Sequence, residues 1–220
     1  MKFLIFISIF INLLYARQII LVVANDFNST TAQLSCIEDG KTIYKNIPVN
    51  LGKNGLGWGV GLVEFSHDKN EPIKKEGDKK APAGIFKLSE VFGYEKIDTK
   101  MKFLKATKEL ICVDDSNSKN YNFIIKNNHK EKSYEVLKRD DNLYKIGIVV
   151  EHNKKQIPFR GSCIFLHVQR DKNSATVGCT SMSEENIKKI ASWLDKEKNP
   201  ILIQITKKYL QNVKSIYNIH

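Results

Sequence analysis

Short runs of apolar and β-branched residues, separated by polar and glycine-containing turns, dominate the pattern of this chain. The clearest runs are residues 18–25 (QIILVVAN), 144–150 (YKIGIVV) and 201–205 (ILIQI). Runs of this length and composition predict β-strands. The dipeptide Asp39-Gly40 predicts the turn of a hairpin between two further short strands. The pattern therefore predicts a chain that is mainly β.

Helical periodicity is confined to a few places, most clearly near the C-terminal end. Ser183 is a favourable N-cap for a helix over residues 184–195, whose apolar positions follow the helical period. Residues 207–217 predict an amphipathic tail helix, and residues 89–94 and 133–141 predict only short helical turns. The apolar face of the 184–195 helix consists of Ile187, Ile190, Ala191 and Leu194.

The stretch 161–182 (GSCIFLHVQRDKNSATVGCTSM) holds the candidate chemistry. Residues 163–166 predict a buried strand that ends at His167, and Cys179 follows a polar loop and Gly178. The thiolate is the reactive form of cysteine, and a nearby imidazole can generate it. Amides around Gly178 and Cys179 would face a developing oxyanion. A buried cysteine and a hydrogen-bonded histidine are the ordinary alternative, and the pair alone favours that alternative.

This stretch resembles the catalytic motif of L,D-transpeptidases of the YkuD type, a His, a variable loop and then Ser/Thr-His-Gly-Cys. A second stretch, residues 76–86 (EGDKKAPAGIF), resembles the segment upstream of the active site in that family. The resemblance extends over residues 51–205. It implies that Cys179 is the nucleophile, that His167 is the general base and acid, and that Gly178 contributes backbone to an oxyanion hole. The matching motif positions are His167, Thr176, Gly178 and Cys179.

Two positions depart from the more familiar motif. Val177 stands where many members have the second His, as in one branch of the family, and Ser181 stands where many have an Arg. Without the second His, His167 has to carry the proton transfer alone. Without that Arg, a substrate carboxylate needs another partner, and Arg170 and Arg160 are the nearest candidates in sequence.

Substrate contacts are expected from four residues around the motif. His152 is also the second candidate for the catalytic base, although a hydrogen-bonded structural role is favoured for it. It would lie near the site if the strand before it pairs with the strand that ends at His167. The four expected contact residues are Thr176, Thr180, Arg170 and His152.

The composition fits a single globular domain. The chain has 220 residues, of which 42% are hydrophobic, enough for one substantial core. The excess of 35 Lys and Arg over 24 Asp and Glu gives a net charge of +11, which attracts polyanions such as nucleic acid, anionic lipid or the acidic polymers of a cell wall. The lysines form no dense run and no nucleic-acid-binding motif is present, so nucleic acid is not an expected partner.

The N-terminus has the layout of a secretory signal peptide. The basic start Met1-Lys2 is followed by an apolar run and a small residue, Ala16, after which cleavage is expected. The apolar run is shorter than the roughly 20 residues of a spanning helix, although an uncleaved anchor is the alternative. Residues 1–16 are thus predicted as the signal, residues 17–220 as the catalytic domain, and the location as the periplasm or cell wall.

The cysteine count leaves one question open. If Cys179 is a free nucleophile, Cys36, Cys112 and Cys163 form an odd set. Cys112 and Cys163 either pair or are simply buried, with burial favoured. No cysteine or histidine cluster has zinc-ligand spacing, so neither a metal nor another cofactor is expected.

The resemblance implies a single β-sandwich domain with short helices that transfers the acyl group of a peptidoglycan stem peptide through a thioester to an amine. With water as the acceptor, the same site is an L,D-carboxypeptidase. A papain-like or NlpC-like peptidase places its Cys before its His, and only His220 follows Cys179. A non-catalytic, basic wall-binding module is the alternative from a different class.

Overall fold

Strands dominate the computed structural model, which describes residues 17–219. Strands make up 39% of the described residues and helices 12%, which confirms the prediction of a mainly β domain with short helices. The strands are β1 (Gln18–Ala24), β2 (Thr31–Glu38), β3 (Lys41–Asn50), β4 (Leu56–Trp58), β5 (Ala81–Gly93), β6 (Lys102–Lys105), β7 (Leu110–Val113), β8 (Ile124–Lys126), β9 (Tyr134–Val136), β10 (Ile146–Val150), β11 (Phe165–Val168), β12 (Thr180–Met182) and β13 (Ile201–Thr206). The helices are α1 (Glu184–Trp193) and α2 (Leu210–Tyr217), and single 3-10 turns span Lys196–Lys198 and Lys207–Tyr209.

Ten strands belong to one sheet, in the order β10-β11-β12-β3-β2-β1-β13-β5-β4, with β6 paired to β5. β5 also pairs with β10, so the path of strands returns to its beginning. A second, three-stranded sheet has the order β8-β7-β9. The description of the domain as a β-sandwich stays a prediction.

The centre of the large sheet is formed by the most apolar runs of the sequence. β1 and β13 run parallel, in register from Ile19 opposite Ile201 to Ala24 opposite Thr206. Strands that are covered on both faces need apolar residues at successive positions, which explains the unbroken apolar runs. The hairpin predicted at Asp39-Gly40 joins β2 to β3 and is confirmed.

Helix α1 packs against the strands that carry the candidate site. The Ser183 hydroxyl accepts a hydrogen bond from the Asn186 amide at 3.3 Å, which confirms the predicted N-cap. Ile187, Ile190 and Ala191 are buried and face β10 and β11. The predicted tail helix is also present as α2 and the turn before it.

Two predicted helical turns are wrong. Residues 89–93 belong to β5, because this part of the strand pairs with β6 on one side and β10 on the other. Residues 133–141 contain β9, which pairs with β7. In both places strand pairing with distant parts of the chain overrides a weak local preference.

Cys112 and Cys163 form a disulfide with a Cα–Cα distance of 5.9 Å, so the expectation of two simply buried thiols is wrong. The bond ties the three-stranded sheet to the segment that enters β11. Cys163 precedes β11 with a φ of +53°, so the strand predicted over residues 163–166 begins only at Phe165. Cys36 and Cys179 are free and buried.

None of the helices within residues 17–219 has the length and apolar character needed to cross a membrane. The predicted signal peptide, residues 1–16, lies outside the described residues, and so does His220.

Candidate active site

Two neighbouring parallel strands bring His167 and Cys179 together. In the β11–β12 pair, His167 lies opposite Ser181, and Cys179 immediately precedes β12. The amide of Phe165 donates to Cys179 Sγ at 3.3 Å, and the thiol lies 3.5 Å from the carbonyl oxygen of Cys163. Phe165 and His167 share one face of β11 because alternate residues of a strand do. Cys179 and His167 line one cavity of about 340 Å³.

The surroundings of His167 determine both which ring nitrogen carries the hydrogen and whether the ring is charged. Its Nδ1 lies 2.8 Å from the carbonyl oxygen of Val168. Because a carbonyl only accepts, Nδ1 carries the hydrogen and Nε2 is left as the proton acceptor. Burial lowers the pKa of His167 to about 4, against the pull of the Val168 carbonyl, so the ring is neutral at pH 7. A neutral imidazole is the form that can take a proton from a thiol.

The thiol of Cys179 is neutral in the resting site. Burial, and secondarily the carboxylate of Glu135, raise the pKa of Cys179 to about 12, while the charge of Lys74 opposes this. The attack on a carbonyl therefore has to include removal of the thiol proton. His167 is the neutral base that lines the same cavity.

Tyr144 connects His167 to a buried acid. Its ring packs edge-on against the ring of His167, with centroids 5.3 Å apart, and its hydroxyl donates to Glu135. Burial of the Glu135 carboxyl raises its pKa. Arg139 lies over the Tyr144 ring, 5.1 Å from its centroid, and donates to Asp141 through two nitrogens. This chain of contacts forms one wall of the cavity.

The turn before Cys179 is held by the Thr176 side chain. Its hydroxyl donates to the carbonyl of Cys179 at 2.6 Å and accepts from the amide of Gly178 at 3.1 Å. Gly178 has a φ of +150°, which side-chain-bearing residues rarely adopt. Since the Gly178 amide is engaged with Thr176, its predicted role in the oxyanion hole requires that bond to open. The Cys179 amide is the other donor that the sequence suggests.

Arg170 lies at the cavity of Cys179, and its contact with a substrate carboxylate stays a prediction. It lines the cavity of Cys179, with its side chain 67% exposed and Nη2 3.8 Å from Asp141 Oδ2. Val177, which replaces the second His of the motif, is 71% exposed at the rim. Arg160 does not line this cavity.

Thr180 and His152 do not line either cavity that Cys179 lines, and their substrate contacts stay a prediction. The Thr180 hydroxyl is buried and donates to Gln204 Oε1 at 2.7 Å, because this side chain points into the core. β10 does pair with β11 as expected, but His152 lies beyond the strand and is 1% exposed. Its Nε2 donates to the Arg160 carbonyl, 2.9 Å away, and burial lowers its pKa to about 4. Its ring serves a structural role.

A second cavity of about 200 Å³ adjoins Cys179 and was not foreseen from the sequence. Two of the charged residues that line it are Lys74, which comes from a charged loop, and Glu135, which comes from β9. Nothing in the sequence marks either residue apart from the proximity of Lys74 to the 76–86 stretch. The residues that line both cavities are Glu135, Val177 and Cys179.

Within residues 17–219, no three His, Cys, Asp or Glu side chains gather in a way that would hold a metal ion.

The family model of the YkuD L,D-transpeptidase catalytic domain matches residues 18–203. The chain therefore belongs to the L,D-transpeptidase catalytic domain family, which confirms the resemblance drawn from the motif. A search of curated proteins finds no significant match. Membership of the family indicates an L,D-transpeptidase-type activity and a peptidoglycan-related function.

Proposed function

We propose that the protein is an exported cysteine acyltransferase that acts on peptidoglycan stem peptides through a thioester on Cys179. One observation carries this proposal. Cys179 and His167 line the same cavity, and the Val168 carbonyl holds His167 in the tautomer that accepts a proton. A non-catalytic binding module would not require a neutral base beside a buried thiol.

In the first half-reaction, Cys179 Sγ bonds to the carbonyl carbon of the donor peptide, and the thiol proton moves to His167 Nε2. The π-electron pair of the carbonyl moves onto its oxygen, and the Cys179 amide is the proposed donor to that oxygen. When the pair returns, the C–N bond breaks, and the leaving amine takes the proton from the imidazolium. The products are a thioester on Cys179 and the released D-amino acid.

In the second half-reaction, an amine attacks the thioester and passes a proton to His167. The C–S bond breaks, and the departing sulfur recovers that proton to restore the neutral thiol and imidazole. Water in place of the amine gives a carboxypeptidase by the same steps. The placement of His167 on β11 and of Cys179 directly before the paired strand β12 favours either outcome equally, since both use the same base.

Export is supported by two features. The apolar run before Ala16 has the layout of a secretory signal. The Cys112–Cys163 disulfide is the kind of bond that forms and persists in oxidising compartments such as the periplasm. We therefore place the protein in the periplasm or at the cell wall.

The proposal is tested by incubating residues 17–220 with a disaccharide-tetrapeptide, with and without an added D-amino acid, and analysing the products by mass spectrometry. Loss of the terminal D-Ala with an exchanged or cross-linked product supports a transpeptidase. Loss of D-Ala with water alone supports the carboxypeptidase. No change in the peptide, with Cys179 intact and the protein folded, would contradict the proposal.

A further inference from the structure

Lys74 is a buried lysine beside the nucleophile. Its side chain is 3% exposed, and it lines the second cavity together with Cys179. Its Nζ lies 3.9 Å from the position that a Cβ would occupy on Gly178, the residue before the nucleophile. A lysine side chain is almost never fully buried unless it is paired, because burial removes the hydration of its charge.

The surrounding backbone leaves room for this side chain. A Cβ on Gly161 would lie 3.1 Å from Lys74 Cε, and a Cβ on Gly57 would lie 3.0 Å from the Lys74 amide nitrogen. Gly161 thus lets the stem of Lys74 pass close to the main chain, and Gly57 lets the backbone of Lys74 do so. The position of the ammonium is fixed by the fold rather than by a flexible surface loop.

Two acceptors hold the ammonium in place. Nζ donates to the Lys75 carbonyl at 2.7 Å and to Asp78 Oδ1 at 2.5 Å. Asp78 is itself fixed, since it accepts from the amides of Lys75 and Lys80. An ammonium has three N–H donors, so one is left for a ligand in the cavity.

We propose that Lys74 is a further catalytic residue whose ammonium stabilises negative charge at the site, first on the sulfur of Cys179 and then on the substrate oxyanion. The carbonyl π pair moves onto oxygen as the C–S bond forms, and Lys74 donates its remaining N–H to that oxygen. Lys74 keeps all its protons, so no proton transfer beyond that of His167 is involved. The oxyanion role rests on the proposed function, whereas the effect on the sulfur does not.

The hydrogen bonding of the turn explains why a charged donor is placed here. The Gly178 amide is engaged with Thr176, which leaves the Cys179 amide as the backbone donor. Charge-assisted hydrogen bonds are roughly twice as strong as neutral ones. Glu135 opposes the formation of a thiolate, and Lys74 is the cation that acts against it.

The kinetic test compares Lys74→Met with Lys79→Met, using the peptide that the wild-type protein turns over. Lys79 is an exposed lysine that lines the same cavity, so it controls for a general loss of positive charge. We expect kcat to fall about 100-fold for Lys74→Met, as for the loss of an oxyanion donor, with a smaller change in KM. An unchanged kcat in a folded Lys74→Met protein, or an equal loss in Lys79→Met, would overturn the proposal.

A second test needs no peptide substrate and so separates this inference from the proposed function. The rate of Cys179 alkylation by iodoacetamide is measured against pH by peptide mapping, with Cys36 as the internal control for unfolding. The ionisable residues that line the two cavities with Cys179 are His167, Tyr144, Glu135, Arg139, Arg170, Lys74, Lys79, Glu76 and Asp114. We expect the profile of Lys74→Met to move to higher pH, with at least a tenfold lower rate at pH 8. A superimposable profile would overturn the role on sulfur even if peptide turnover is never found.

Asp78→Asn keeps the inference testable if Lys74→Met fails to fold. This variant leaves the ammonium without its carboxylate partner, so its charge acts more strongly on Cys179. Alkylation of Cys179, but not of Cys36, is then expected to be faster than in the wild-type protein at pH 7. Equal or slower alkylation of Cys179 would contradict the proposal.

Discussion

The backbone N–H of Phe165 donates to the Sγ of Cys179 at 3.3 Å, so the strand that carries the base His167 also positions the nucleophile. Two residues further along the same strand, His167 lines the cavity into which the thiol opens. The geometry of the pair therefore depends on the pairing of β11 with β12.

Removal of either member of the pair should stop turnover without unfolding the protein. For Cys179→Ala we expect activity at background level, because no second thiol is among the described residues that line the cavity. For His167→Ala we expect a loss of about 10²- to 10⁴-fold, the usual contribution of a general base. The rate of D-Ala release, with circular dichroism to check the fold, measures both. Retained activity in either variant would remove that residue from the mechanism.

Glu135→Gln should make Cys179 more reactive. The carboxylate raises the pKa of Cys179, so a neutral amide of the same shape should lower it and shift alkylation to lower pH. The Tyr144 hydroxyl keeps an acceptor in the amide oxygen. Iodoacetamide labelling of Cys179 between pH 6 and pH 9 measures the shift. A profile that moves to higher pH would show that Glu135 does not act on the sulfur as a charge.

Gly178→Ala should be destabilising and inactive. The φ of +150° is strained for alanine, and its Cβ would lie 3.3 Å from the Lys80 carbonyl oxygen. A non-glycine residue in such a conformation costs about 1–3 kcal/mol. Urea unfolding measures the loss, and Gly77→Ala is the matched control because nothing lies within 4 Å of a Cβ there. Similar losses in the two variants would mean that backbone strain alone, rather than the crowded turn, determines the effect.

Reduction of the Cys112–Cys163 disulfide should lower stability and activity together. Native disulfides typically contribute about 2–5 kcal/mol, and this one closes a segment with a sequence separation of 51. The carbonyl of Cys163 also contacts the Cys179 thiol, so a loosened segment should disturb the nucleophile. The melting temperature with and without dithiothreitol measures the effect. The shift should persist in Cys36→Ser and disappear in the Cys112→Ser, Cys163→Ser double variant.

Acid should destabilise the protein well above the pH at which carboxylates titrate. His152 and His167 both have pKa values lowered from 6.5 to about 4, because burial disfavours their charged forms. The unfolded chain therefore binds more protons between pH 6.5 and pH 4, and stability falls as the pH drops through that window. The full effect is about 3 kcal/mol for each ring. Urea unfolding from pH 7 to pH 4 should show it, and a flat profile would contradict it.

A double variant, His152→Gln with His167→Gln, is the control for this pH dependence. Its stability should change much less between pH 6.5 and pH 4 than that of the wild-type protein. A wild-type slope that survives in the double variant would assign the effect to other groups.

The strands of the sheet centre and the helix after Cys179 could be predicted because local patterns determine them. β1 and β13 are continuous apolar runs, and Ser183 with the apolar face after it defines the start of α1. By contrast, β9 and the second half of β5 carry weak local signals and are strands only because distant segments pair with them.

In the candidate site, too, only the residues that a local sequence pattern marks could be predicted. His167, Thr176, Gly178 and Cys179 could be located from a motif that is local in sequence. Lys74 and Glu135 reach Cys179 from distant segments, so only the folded chain brings them together. The disulfide could not be assigned for the same reason, since the spacing of Cys112 and Cys163 does not determine their separation in space.

The most direct test of the proposed thioester is the intact mass of the protein after brief incubation with a disaccharide-tetrapeptide. We expect a covalent adduct of the donor peptide without its terminal D-Ala, mapped to Cys179 and absent from Cys179→Ala. An adduct on another residue, or D-Ala release that persists in Cys179→Ala, would contradict the thioester at the centre of this account.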